Sequence, residues 1–100
     1  MKVVLADEAL ADLEDIAGWI LKDNPVRALS FSRELRDRSR SLATQAALFP
    51  LVEGLEDLGI RRRGYRGYLI FYRIEPPIVT VLRILNGSRD HFALLQGDDQ

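Results

Sequence analysis

The chain contains no cysteine, one histidine, one tryptophan, and lysine only at positions 2 and 22. Absence of cysteine excludes disulfides and thiolate metal sites, and a single histidine excludes a histidine-rich metal centre. It also fits a reducing compartment such as the cytoplasm. Long hydrophobic runs are missing too. The longest, residues 68–72, is far short of the roughly 20 residues a membrane-spanning helix needs. The apolar start, residues 3–6, is shorter than the apolar core of about 7–15 residues in a signal peptide. Glycines never cluster before a helix, so no phosphate loop is present. No repeat or low-complexity segment occurs.

What remains is an ordinary globular balance: 47% hydrophobic and 29% charged residues in a chain of 100. That length supports one modest core, read as a single domain over residues 1–95 with a polar tail at 96–100. The formal net charge of −1 hides an asymmetry. Residues 1–60 carry 7 basic and 11 acidic side chains, whereas residues 61–90 carry 7 basic and 2 acidic. All seven cations of the second segment are arginines: Arg61, Arg62, Arg63, Arg66, Arg73, Arg83 and Arg89. Guanidinium offers a planar fork for carboxylate or phosphate. The segment therefore reads either as a solvated strand face or as a surface for an anionic partner, acidic peptide or nucleic acid.

Hydrophobic periodicity orders the elements. Residues 2–6 predict a short strand. Asp7 is a candidate N-cap, followed by Leu10, Leu13, Ile16, Ala17, Ile20 and Leu21 at helical spacing, with Asp12, Glu14 and Asp15 on the opposite side. Trp19 reads as core, and Gly18 beside it as a point of close packing. Asn24-Pro25 ends one helix and starts the next. Ala28, Phe31, Leu35, Leu42 and Ala46 form the second stripe, with Glu34 and Arg38 spaced as an i,i+4 pair. Residues 48–57 predict a connector. After Gly59 the period falls from 3.6 to 2, giving strands at 60–64, 68–74 and 78–85, and a helical turn at 90–95. The resulting fold is α+β: β-α-α-β-β-β, an antiparallel sheet packed on a helical hairpin, with a short C-terminal helix.

Chemistry is sparse. Ser30, Ser32, Ser39 and Ser41 lack the companions of a catalytic triad. A ribonuclease needs a base, an acid and charge stabilisation at one phosphate. Arginines are available for the last role. His91, however, falls beyond the final strand, and Tyr68 and Tyr72 alternate with Ile70 and Ile74, a packing pattern. Arg73 and Arg83 interrupt apolar strands, either as outward charges or as polar anchors for a partner. Alternation lets at most two of Arg61, Arg62 and Arg63 share a surface.

Four segments in this order resemble ParE toxins of the RelE/ParE toxin–antitoxin superfamily. They are 11–16 with Trp19-Ile20, Asp23-Asn24-Pro25 with Ala28, 59–62 leading into 68–73, and 81–90. The resemblance covers about residues 1–92. It implies a cytoplasmic toxin that inhibits DNA gyrase and is neutralised by a ParD-like antitoxin, whose C-terminal segment folds on it in a hetero-oligomer. No catalysis, no cofactor, no membrane contact and no specific nucleic-acid binding are implied. Arg61, Arg62, Arg73, Arg83 and Arg89 are the candidate partner- or target-binding residues. Position 86 is Asn where many relatives carry His. The alternatives are a RelE-like ribosome-dependent mRNA endonuclease and an inactive homologue that only binds its antitoxin.

Overall fold

The computed structural model describes residues 1–87 and 94–95. Strand β1 (Lys2–Leu5) leads into helix α1 (Asp7–Leu21), helix α2 (Pro25–Arg40) and a short helix α3 (Leu42–Gln45). Strands β2 (Ile60–Tyr65), β3 (Tyr68–Glu75) and β4 (Ile78–Asn86) follow. Leu94 and Leu95 are helical. The rest of the expected helix at 90–95, and the tail 96–100, lie outside the described residues.

One sheet of order β1-β4-β3-β2 forms the second layer. Strands β2, β3 and β4 are antiparallel, as expected, but β1 lies parallel to β4. The alternation of a strand reads the same in both directions, so sequence pattern could not supply that sense. The β2–β3 hairpin closes through two residues, Arg66 and Gly67, both with positive φ (48° and 85°). That is the backbone whose twist suits a two-residue hairpin.

Asn24 caps α2 as expected: its Oδ1 accepts from the Arg27 amide at 3.0 Å, with Pro25 at the first helical position. Helix α1 starts differently. Asp7 lies inside it, and Ala6 occupies the cap with no side-chain bond. The second apolar stripe is also interrupted, since α2 ends at Arg40 and the chain re-forms as α3 and a 3₁₀ turn at Ala46–Leu48. Its residues Ala28, Phe31, Leu35, Leu42 and Ala46 are all buried.

The stripe on α1 is rotated from the expected one. Ala9, Asp12, Leu13 and Ile16 are buried, whereas Leu10 and Leu21 are exposed. Trp19 is 69% exposed rather than core, and Gly18 faces open space rather than a close neighbour. Helix α1 must cover both α2 and β4, and the bearing of that second contact rotates the buried face.

Two cores result. Under the helices lie Ile70, Tyr72, Val79, Val81 and Ile84, with Tyr68 and Ile74 at the margin. On the other face Phe71, Ile60 and Leu85 meet Val52 and Leu55 from the 48–57 connector, with Leu69, Leu82, Leu94 and Leu95 alongside. The connector is therefore a cover for the second face. Val52 donates its amide to Ile60 O at 2.8 Å, and Arg62 donates its amide to Pro50 O at 3.0 Å. Among the described residues no helix is long and apolar enough to cross a membrane.

Candidate functional site

The functional geometry begins with a bulge. Phe71 pairs with Arg83 and Tyr72 with Val81, so Leu82 is the extra residue on β4. A bulge bends the strand and re-aims side chains. Strand β1 covers β4 only as far as Val81, where the Ala6 amide donates to Val81 O at 2.9 Å. Beyond that point the edge of β4 has no strand partner among the described residues. Asp12 of α1 takes its place: Oδ2 accepts the Ile84 amide at 2.9 Å.

The same carboxylate grips Arg83 side-on. Arg83 Nε donates to Oδ2 at 2.8 Å and Nη2 to Oδ1 at 2.9 Å. Asp12 is buried and Arg83 partly so, which places the pair where water screens it weakly. The hydrogen bond to Asp12 raises the Arg83 pKa against the cost of burial, with Glu8 and Asp15 adding to the effect. Periodicity puts Asp12 on the polar side of α1, but it is the buried anchor of Arg83. Its legible signal was position 12 between Ala9 and Leu13, facing an arginine that breaks an apolar strand.

Arg83 shares a groove with Arg73. Ala6, Glu8, Leu82, Leu94 and Leu95 complete its lining. Arg73 donates from Nε to Glu75 Oε2 at 3.2 Å, and Thr80 Oγ1 donates to Glu75 Oε1 at 2.8 Å. The side-on grip leaves Arg83 Nη1 uncommitted among the described residues. Arg62 stands in register with Phe71, and Phe71 in register with Arg83, so the two arginines flank one buried ring across three strands. Arg62 itself is exposed.

The remaining candidates do other things. Arg61 Nη1 donates to Phe49 O at 2.7 Å. Arg63 donates to Arg38 O at 3.0 Å and to Ser41 Oγ, and lies over the Phe49 ring. Burial, then the nearby Arg38 charge, lowers its pKa. Both arginines tie β2 to the segment after α2. Arg89 and His91 lie outside the described residues.

The expected Glu34–Arg38 pair is replaced. Glu34 accepts from Arg27 at 2.6 Å and from the Tyr65 hydroxyl, while Arg38 stacks over the Tyr65 ring at 4.7 Å. These bonds, from Arg27 first and then Tyr65, lower the Glu34 pKa to about 2. Tyr72 is fully buried, its hydroxyl donating to Ala46 O, and burial raises its pKa. Among the described residues, the groove contains no tyrosine or histidine.

Comparison with known proteins adds the family. A sequence search among curated proteins gives no match. Among solved structures, a chain of the chromosomal ParDE TA system from P. aeruginosa superposes with a TM-score of 0.74 at 20% identity. The match covers 86% of this chain and 95% of that one, and establishes a shared fold. The family model for the ParE toxin of the type II toxin–antitoxin system parDE matches residues 3–91, nearly the whole span built above, and the chain belongs to that family.

Proposed function

We propose that this protein is the toxin of a type II toxin–antitoxin pair, acting in the cytoplasm as a non-enzymatic inhibitor of DNA gyrase. A ParD-like antitoxin neutralises it by folding a C-terminal segment over its surface. The family match over residues 3–91 carries this reading. The groove supports it further. It presents Arg73 and Arg83 beside Leu82, Leu94 and Leu95, a setting for an acidic-amphipathic segment. Arg62, exposed on β2, extends the proposed cationic surface, and Arg61 braces the strand that bears it; Arg89, outside the described residues, is proposed with them from the sequence alone.

Among the described residues the groove presents arginines and apolar side chains but no base–acid pair, an arrangement that fits inhibition. Glu8 is its only carboxylate among the described residues. An inhibitor needs a shaped cationic surface and no proton relay, and no specific nucleic-acid contact enters the proposal. The outer face of the helical hairpin exposes Leu21, Val26 and Leu29, apolar surface of the kind an antitoxin covers.

Induced expression tests the reading, with transcript mapping beside gyrase supercoiling and cleavage assays. Growth arrest with inhibited gyrase and intact transcripts is the expected outcome. Transcripts cut at ribosome-linked positions with untouched gyrase would replace it by the endonuclease reading. Antitoxin binding without growth arrest would leave an inactive homologue.

A further inference from the structure

We propose that a second pocket, between α1 and the ends of β3 and β4, is a receptor for an arginine side chain on a partner polypeptide. It is separated from the arginine groove by the Asp12–Arg83 pair and does not depend on which target the toxin inhibits. Asp15, Ile16 and Trp19 line it from α1, and Tyr68, Ile84 and Asn86 from the sheet. Asp12, already engaged by Arg83, also lines it.

Three observations select the occupant. First, Asp15 is exposed and, beyond its through-space effect on Arg83, makes no hydrogen bond or ion pair among the described residues. Asp12 and Arg83 neutralise each other, so Asp15 supplies the charge facing the pocket. Second, Trp19 is one helical turn beyond Asp15, on the same face of α1. At 69% exposure its ring offers solvent a large apolar surface beside a carboxylate. Third, that ring already attracts a cation, with Lys22 Nζ 4.9 Å from its centroid. An indole face and a carboxylate one turn apart match the two surfaces of a guanidinium, whose plane stacks while its edge donates. A lysine ammonium can sit over the ring, as Lys22 does, but cannot stack a plane on it while donating from an edge, and an anion meets Asp15 unfavourably. Helix α1 adds to the selection, with five carboxylates and no basic side chain.

Lys22 is the internal competitor for the ring. It is exposed and makes no ion pair among the described residues, so an incoming guanidinium displaces it at little cost.

Trp19 is the only tryptophan of the chain, so its emission reports this pocket alone. The probe is an acetylated, amidated Ala-Arg-Ala peptide titrated into the whole protein, with a citrulline peptide of the same shape as the uncharged control. A saturable change in emission is expected with the arginine peptide. Asp15→Asn should weaken it roughly tenfold, the loss of about 1.4 kcal/mol. Lys22→Met should strengthen it by removing the competitor. Amide shifts of residues 15, 16 and 86 provide a readout independent of the fluorophore, and circular dichroism checks the fold of each variant. An equal response to citrulline, an unchanged affinity in Asp15→Asn, or a non-saturating titration would overturn the proposal. Gyrase and transcript assays are unaffected by either result, so failure here is distinct from failure of the toxin reading.

Discussion

Asp12 holds Arg83 through both carboxylate oxygens and accepts the Ile84 amide with one of them, so a single helical side chain finishes the edge that β1 leaves open. Removing Asp12 orphans a partly buried guanidinium and a buried backbone donor together. Asp12→Ala should therefore destabilise the fold by on the order of 3 kcal/mol, near the lower end for a broken buried pair because Arg83 keeps some solvent contact. Urea unfolding measures it. A double-mutant cycle with Arg83→Met should show strong coupling, and additive losses would mean that the two residues act independently.

Arg73 is the cleaner probe of the groove, because Arg83 has a structural partner and Arg73 has only surface ones. Arg73→Ala should weaken binding of the proposed antitoxin and flatten its salt dependence, while leaving the melting temperature nearly unchanged. The Arg73→Ala, Arg83→Ala double variant should lose more affinity and also lose stability. Calorimetric titration from low to high salt separates the effects. Unchanged affinity and salt slope in both variants would remove these arginines from the interface.

The acid sensitivity of the fold should carry a signature of Glu34. Its carboxyl is held down to about 2 in the folded protein by the Arg27 and Tyr65 hydrogen bonds, well below the ordinary glutamate range. A depressed carboxylate pKa adds stability above the unfolded value, and that contribution disappears as pH falls through the folded one. Denaturant midpoints of the natural protein and Glu34→Gln should thus differ at pH 6 and converge between roughly pH 4.5 and 2. Parallel curves throughout would show that the Arg27 and Tyr65 bonds do not set this titration.

Tyr72→Phe separates packing from catalysis. The variant leaves the buried Ala46 carbonyl without its hydroxyl donor, a loss of roughly 1–2 kcal/mol. Growth inhibition on induction should survive, because this hydroxyl is enclosed beneath the helices. Abolished toxicity in a folded Tyr72→Phe protein would assign the hydroxyl a chemical role.

The proposed antitoxin should raise the melting temperature in proportion to the logarithm of its free concentration, as a ligand selective for the folded state does. A thermal scan across a dilution series checks this. A melting temperature indifferent to antitoxin would contradict a covering partner.

Residue order alone determined the helical hairpin at Asn24-Pro25, the switch to strand period after Gly59, and the packing face of Tyr68, Ile70, Tyr72 and Ile74. These features rest on local rules: a cap, a fixed φ and a repeat of two or 3.6 residues. The arginine-rich third was equally plain, because composition needs no contacts. Tertiary structure decided the parallel sense of β1, the burial of Asp12, the exposure of Trp19 and the use of Val52 and Leu55 as a second core. Each depends on what another segment places opposite, and a side chain's partner 71 residues away leaves no period in the chain. Arg83 shows the division most clearly: an arginine in an apolar strand is visible from its neighbours, but whether it faces water, a partner or Asp12 is settled by a bulge at Leu82 and by where β1 stops.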